Sequence, residues 1–387
     1  MIITKFEEVN NMKKLILTIS FILIFVLLIG CAKTDTGNET NDISSTPEPT
    51  DTVTAEITEK PEPTQAVAEP TPQVTEESLT IADYFPLNEN TKYIYEGEGN
   101  EYASYSVFTD YISKNRIQLR TNNGGSELVR VLENKDGQLT VLLSRGEIYY
   151  RENLLNSTDE NTEILLKEPL VKGTEWTLAD KRKRFISNVD VEITTPAETF
   201  QALEVTTEGE DDKVVDYYAA EVGLIKSIFT SGGMDVTSTL SKIEENVPFE
   251  QTIRFYYPNV NEDVIYLVEK QLLFNTNDIT KIELVDAIKD IKKDNLDPVL
   301  SSNTKINSLY LNKDNVVYVD FTKELLSEMN AGSGYETLIL QCITNTLGDY
   351  YGVKEVYITV DGKPYESGHY SMKKGEAFQA DMENVVE

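Results

Sequence analysis

Ile253-Arg254-Phe255-Tyr256-Tyr257-Pro258, read onward as far as Phe378, decides the fold of the C-terminal part of this chain. β-Branched and aromatic residues in a run stopped by proline predict a strand. A second run, Val264 to Leu273, predicts its partner and leads into a helical pattern from Thr280 to Lys293. There Leu284, Val285, Ile288 and Ile291 share one face, and Thr280 and Glu283 are spaced as a capping box. Lys305 to Leu311 and Val316 to Phe321 predict two more strands around the turn Asn312-Lys313-Asp314-Asn315. In the second of these, Val317, Val319 and Phe321 point one way and Val316, Tyr318 and Asp320 the other. A long helix follows, with Ser333 and Glu336 spaced as a further capping box and Gly352 at its end. Its apolar face is Tyr335, Leu338, Ile339, Cys342, Ile343, Thr346, Leu347 and Tyr350. Glu355 to Val360 is a last strand, closed by the turn pair Asp361-Gly362. Strand, strand, helix, strand, strand, helix, strand predicts a small α+β domain over residues 249–378, with two helices packed on a sheet.

Three phrases of this region carry a resemblance: Ile253 to Pro258, Val316 to Phe321 with Glu324-Leu325, and Val353-Lys354-Glu355-Val356-Tyr357-Ile358-Thr359-Val360-Asp361-Gly362. Together, and in this order, they resemble the GerM-type domain of sporulation and spore-germination proteins. The resemblance covers about a third of the chain. It implies an extracytoplasmic, often lipid-anchored protein without known catalysis, associated in sporulating bacteria with envelope assembly around the forespore. It carries over no catalytic residue.

The chain has 387 residues, enough for two ordinary domains and tails. Its formal net charge is −31, which argues against nucleic acid as a partner and against purely electrostatic attachment to an anionic membrane. The two cysteines, Cys31 and Cys342, do not suggest a disulfide framework, and Cys342 falls on the apolar face of the long helix.

Near the N-terminus, Met12-Lys13-Lys14 is a better start than Met1, because it places a basic region ahead of the apolar run Leu15 to Ile29. That run is short for a transmembrane helix and suits a signal-peptide core, so residues 1–30 are expected to be a signal peptide. Leu28-Ile29-Gly30-Cys31 resembles the bacterial lipobox, which makes Cys31 the expected lipidation site and a membrane the expected partner through that anchor. More than one acyl chain on a single residue gives stable anchoring. Localisation on the extracytoplasmic face of the cell membrane follows. Residues 31–80 are rich in Thr, Pro, Glu and Ser, a composition that cannot bury enough apolar surface to order itself. They are expected to form a disordered tether that could reach roughly 150 Å at about 3.1 Å per residue.

Residues 81–245 read differently. Short alternating runs recur at Tyr102 to Tyr111, Arg116 to Thr121, Glu127 to Glu133, Leu139 to Leu143 and Glu147 to Tyr150. Others follow at Val189 to Thr194, Phe200 to Thr206, Val214 to Tyr218, Leu224 to Phe229 and Val236 to Leu240. Turn residues between them predict an all-β antiparallel domain, a sandwich or barrel. Gly173-Thr174-Glu175-Trp176 and the later Tyr217-Tyr218-Ala219 with Gly223-Leu224-Ile225-Lys226 resemble β-rich domains of Gram-positive lipoproteins. Trp176 is expected to be a core residue. Residues 379–387 read as an acidic tail.

Candidate sites are few. His369 is the single histidine and no nucleophile elbow accompanies it. Zinc would need several nitrogen or sulfur ligands, and no P-loop or dinucleotide pattern occurs, so no catalytic residue, metal or cofactor is expected. Asn259-Val260-Asn261-Glu262-Asp263 begins like an EF-hand loop but has Val264 and Lys270 where glycine and glutamate belong. Lys181-Arg182-Lys183-Arg184 reads as a charged turn between strands. On the long helix, Thr337, Gln341, Thr344 and Gly348 form a stripe without charge, a candidate docking face for an envelope protein or a second copy.

The expected function is a non-catalytic, membrane-anchored lipoprotein acting as an envelope scaffold or assembly factor, in sporulation or germination. The competing reading is a ligand-binding lipoprotein whose β-rich domain holds a lipid, glycan or peptide. An apolar pocket inside the β-rich domain would favour the second, a filled core the first.

Overall fold

The structure, a computed structural model, describes residues 79–386. Cys31, the signal-like leader and nearly all of the tether lie outside the described residues. The fold is mostly β. Its larger part is one antiparallel sheet of twelve strands: β1 (Lys92–Glu98), β2 (Tyr105–Ser113), β3 (Arg116–Asn122), β4 (Glu127–Lys135), β5 (Gln138–Gly146), β6 (Glu163–Lys167), β7 (Glu175–Thr177), β8 (Lys183–Thr194), β9 (Thr199–Glu208), β10 (Asp212–Ala219), β11 (Gly223–Ser231) and β12 (Met234–Glu244).

Two meanders, β1 to β6 and β7 to β12, join through the β1–β12 pairing, so that β6 and β7 are the two ends of the sheet. Side chains close the seam between those ends. Trp176 Nε1 donates to the Ile164 carbonyl at 3.0 Å, and Arg184 donates to the same carbonyl and to Glu163, each at 2.7 Å. The result is a nearly closed barrel. At one end a short helix, α1 (Ile81–Tyr84), plugs it, with Ile81 fully buried and its N–H donated to Glu168 Oε1. Ile81 and Tyr84 pack with Ile117, Leu139, Leu166, Trp176, Ile186 and Leu203 into a filled core. Interiors of small barrels are filled by side chains in this way.

The sequence runs match most of these strands, with three differences. Glu147 to Tyr150 is not a strand. It opens the long β5–β6 connection, whose Ile148 and Tyr150 carbonyls are taken by Arg120. The basic run Lys181 to Arg184 is only half a turn: Lys181 has a positive φ, but Lys183 and Arg184 open β8, and Arg184 is buried at the seam. β1, β6 and β7 have no counterpart among the predicted runs. β6 and β7 are short, and β7 is three residues long.

The C-terminal part follows the predicted order. β13 (Phe249–Asn259) and β14 (Val264–Phe274) form a hairpin, α2 (Thr280–Lys289) follows, and β15 (Ile306–Leu311) pairs with β16 (Val316–Phe321). After the short α3 (Glu324–Ser327), the long helix α4 (Ser333–Tyr351) crosses to β17 (Glu355–Val360), parallel to β16. Asp361 and Gly362 both have positive φ, as the tight turn into β18 (Lys363–Pro364) requires. Two pieces follow: β19 (Phe378–Gln379) on β17 and β20 (Val385–Val386), parallel to β14. The strands therefore make two sheets, not one. α4 packs against both, and its Thr346 hydroxyl accepts the Tyr256 N–H of β13.

Both expected capping boxes are absent. α2 is capped by Ile279, and the Thr280 hydroxyl instead meets Tyr111 Oη at 3.0 Å. α2 also stops at Lys289, short of Lys293. α4 begins after Gly332, and Glu336 turns to Tyr365 and His369. Long-range partners outcompeted local capping in each case. Gly352 ends α4 in the left-handed region at φ 69°, as expected.

Barrel and C-terminal part form a single compact unit. Arg151, from the β5–β6 connection, is fully buried between them. Its guanidinium donates to Tyr111 Oη (2.8 Å), the Asp110 carbonyl (2.8 Å) and the Asn275 carbonyl (3.0 Å), and also to the Asp278 carbonyl. It lies 4.1 Å over the Tyr111 ring. Tyr350 of α4 accepts the Arg151 N–H at 2.8 Å.

Candidate functional site

The stripe Thr337, Gln341, Thr344 and Gly348 is not an open docking face. Thr344 is 1 % exposed, and the residues that cover the stripe come from the chain's own C-terminus. Gln341 Nε2 donates to the Gln379 carbonyl (3.1 Å), while Asn345 exchanges hydrogen bonds with the Asp381 backbone at 2.6 and 2.9 Å. At Gly348 a Cβ would meet the Val353 carbonyl oxygen at 2.8 Å and Ala380 Cβ at 3.2 Å. The glycine does mark a close approach, but of the same chain. The expected acidic tail is likewise a packed segment, held by β19 and β20 and by the Ala380 N–H on the Lys354 carbonyl. Only Thr337 stays exposed, sharing a hydrogen bond with Tyr370 Oη.

A different recess lies at the N-terminal end of α4. It measures about 260 Å³ and is lined by Leu326, Met329, Asn330, Glu336, Tyr365 and His369, among others. Glu336 is 3 % exposed, yet both its oxygens are engaged. Tyr365 Oη donates to Oε1 at 2.7 Å, and His369 Nδ1 sits 2.5 Å from Oε2. Burial pushes the Glu336 carboxyl up, but hydrogen bonds from Ser367, His369 and Tyr365 outweigh it and hold the group below its ordinary value near 4.5. Burial and the Glu336 charge together push the Tyr365 phenol far above its ordinary value. The Ser367 hydroxyl accepts the N–H groups of His369 and Tyr370, both at 3.0 Å. Chemically this is a clamp: a buried carboxylate pins the Ser367–Tyr370 turn onto the start of α4.

The clamp has a pH signature. Because folding lowers the Glu336 value, its stabilisation is complete above the unfolded value and is lost as pH falls through the folded one. Acidification below about pH 4.5 is expected to lower the amide protection factors of Tyr365, whose N–H is donated to the Ile358 carbonyl of β17, and of Met372, whose N–H closes the turn on the Tyr365 carbonyl. Glu336→Gln should flatten that dependence. An unchanged acid response in the variant would show that other carboxylates carry it.

The remaining sequence candidates have structural places. Trp176 is buried at the barrel seam, and Cys342 lies fully buried in the C-terminal core, where burial pushes its thiol well up. Asn259 Oδ1 accepts the N–H groups of Asn261 and Glu262, which makes that segment a hydrogen-bonded hairpin turn. The buried Arg151 and the C-terminal strap were not readable beforehand, since their partners are backbone carbonyls distant in sequence. No described helix is long and apolar enough to cross a membrane.

Residues 254–366 match the Germane family, described as sporulation and spore germination, so this stretch is a GerM-like domain. Among solved structures, the first GerMN domain of the sporulation protein GerM from Bacillus subtilis is 19 % identical. That match covers 33 % of this chain and 97 % of that one, with a TM-score of 0.27. A candidate lipoprotein from Clostridium perfringens is 19 % identical over 34 % of this chain and 88 % of its own, with a TM-score of 0.23. A candidate exported protein of YmcC-like fold from Bacteroides fragilis is 12 % identical over 42 % and 98 %, with a TM-score of 0.25. No curated protein matches the chain.

Proposed function

We propose that this chain is a lipid-anchored protein of the bacterial cell envelope that works without catalysis, as a scaffold or assembly factor during sporulation or germination. The observation that carries the reading is the GerM-like stretch 254–366. The lipobox Leu28-Ile29-Gly30-Cys31 supports the anchor, and the acidic Thr/Pro-rich segment after it suits a spacer that holds the folded body off the membrane. A rigid body suits a scaffold: Arg151 ties the barrel to the GerM-like part, so a load or partner on one is transmitted to the other. The partner is an envelope protein or a second copy. It docks elsewhere than the covered stripe of α4.

Cys31→Ala is expected to abolish incorporation of a labelled fatty acid and release the protein from membranes. Label retained by the variant, or absent from the wild type, would refute the anchor. In the host, deletion of the gene should impair spore formation or germination, and the Cys31→Ala allele should fail to restore it. Full complementation by the unanchored protein would refute a scaffold that acts at the membrane.

A further inference from the structure

Among the described residues, the barrel is plugged by α1 at one end only. Its other end is ringed by the turns β1–β2, β3–β4, β9–β10 and β11–β12, and the side chains there are of a different kind. Paired residues of an antiparallel sheet share a face, so register gives the inward positions. Leu119, packed on the barrel core, is paired with Arg130. Val205, a core residue, is paired with Asp216, Asp216 with Ser227, and two residues on along each strand Val214 with Phe229. Arg130, Asp216, Ser227 and Phe229 therefore face inward, above the filled core, as does Tyr105, while the inward Tyr218 belongs to the top of the core itself.

The eight arginines of the chain distinguish this place. Arg116, Arg120, Arg145, Arg151, Arg182, Arg184 and Arg254 each pair with a carboxylate. Arg130 has no ion pair and no side-chain hydrogen bond among the described residues, in a chain where 66 acids face 35 bases. It is only partly exposed, and its charge acts on Tyr95, Tyr105, Tyr218 and Asp216, which places the guanidinium among the inward groups. Tyr218 is 5 % exposed, yet its hydroxyl, like that of Tyr105, has no hydrogen-bond partner among the described residues. Asp216 is held by Ser227 Oγ at 2.6 Å. Nearer the rim, Phe229 stays 40 % exposed although it faces inward.

A partly exposed cation and two phenol hydroxyls that the protein leaves without partners are free to meet acceptors on a ligand that enters from the rim. We propose that the open end of the barrel is a binding site for a small amphipathic anion, a carboxylate or phosphate whose charged group reaches Arg130 and the hydroxyls of Tyr105 and Tyr218 while its apolar part rests on Phe229. This is independent of the scaffold reading: one protein can be anchored and load-bearing and still hold a ligand in its barrel.

Trp176 is the single tryptophan, and it lies beside Arg184 at the barrel seam, so its emission reports on the interior. The full chain is titrated with benzoate and with phenyl phosphate, and with neutral benzamide as the control. Saturable changes with one or both anions and none with benzamide are expected, and the stronger anion names the headgroup. Arg130→Gln should weaken that binding by about tenfold or more, as loss of a charge-assisted contact does. Its melting temperature should stay unchanged or rise, because no partner is lost. Tyr218→Phe should weaken binding less. An equal response to benzamide, unchanged affinity in Arg130→Gln, or no saturable response to either anion at millimolar concentration overturns the proposal. A lowered melting temperature with affinity intact also overturns it, since Arg130 would then be structural.

Discussion

Arg151→Ala is expected to be the most damaging single substitution in the described body, costing about 3–5 kcal/mol, the range for removing one member of a buried charged network. The side chain has no exposure, and its guanidinium satisfies the carbonyls of Asp110, Asn275 and Asp278 as well as Tyr111 Oη. Alanine leaves these acceptors buried without donors and opens a void against Tyr111 and Phe274. For a body of this size the melting temperature should fall by roughly 10 °C. Arg151→Lys should rescue little, since a single ammonium cannot span carbonyls that lie on both sides of a planar fork. Arg116→Ala, a partly exposed pair with Glu133, is the control and should cost under about 1 kcal/mol. Calorimetry decides it: equal losses for the two alanine variants would mean that the buried network contributes no more than a surface pair. The same contacts bear on residues 249–378 in isolation. Cut from the barrel, this fragment exposes Phe249, Phe274 and Tyr350, which pack against Phe108, Arg151 and one another's neighbours across the junction. It should lack a cooperative thermal transition, contrary to what two well-formed helices and their strands suggest on their own.

Truncation after Phe378 should have the next largest effect, on the order of 3 kcal/mol from at least three lost hydrogen bonds to buried or half-buried groups. The removed segment supplies the Gln379 and Asp381 carbonyls to Gln341 and Asn345, the Ala380 N–H to Lys354, and β20 to the open edge of β14. Truncation also bares an uncharged helical stripe with Thr344 and Gly348 at its centre and a strand edge beside it. Such surfaces invite self-association. A lowered melting temperature and dimers or larger species in light scattering are therefore expected together. A truncated chain as stable and as monodisperse as the intact one would show that the strap is only loosely applied. Gly348→Ala tests the same contact locally. Helix propensity alone would make alanine more stable by about 1 kcal/mol. The carbonyl of Val353, 2.8 Å from the new Cβ, belongs to backbone just beyond the helix end and has little room to yield. The net sign should be destabilising.

Local pattern sufficed for much of this protein. The order of strands and helices after residue 249 follows from runs such as Ile253 to Tyr257 and from the spacing of Leu338, Ile339, Cys342 and Ile343, because period-2 and period-3.6 burial are properties of short segments. The β-rich character of residues 92–244 was legible for the same reason, and the resemblance to GerM-type domains lies in contiguous phrases within 254–366. What only the tertiary structure decided has partners far apart in sequence. Thr280 and Glu336 look like halves of capping boxes, yet Thr280 answers to Tyr111, 169 residues away, and Glu336 to Tyr365 and His369. The neutral stripe on α4 reads as a docking face until residues 379–386 are seen lying on it, since lack of charge marks burial without saying by what. Closure of the barrel depends on Trp176 and Arg184 reaching β6, and the isolation of Arg130 depends on which carboxylates that closure brings near. Each is a long-range pairing of side chains with backbone or with distant charge, and neither composition nor periodicity encodes such a pairing.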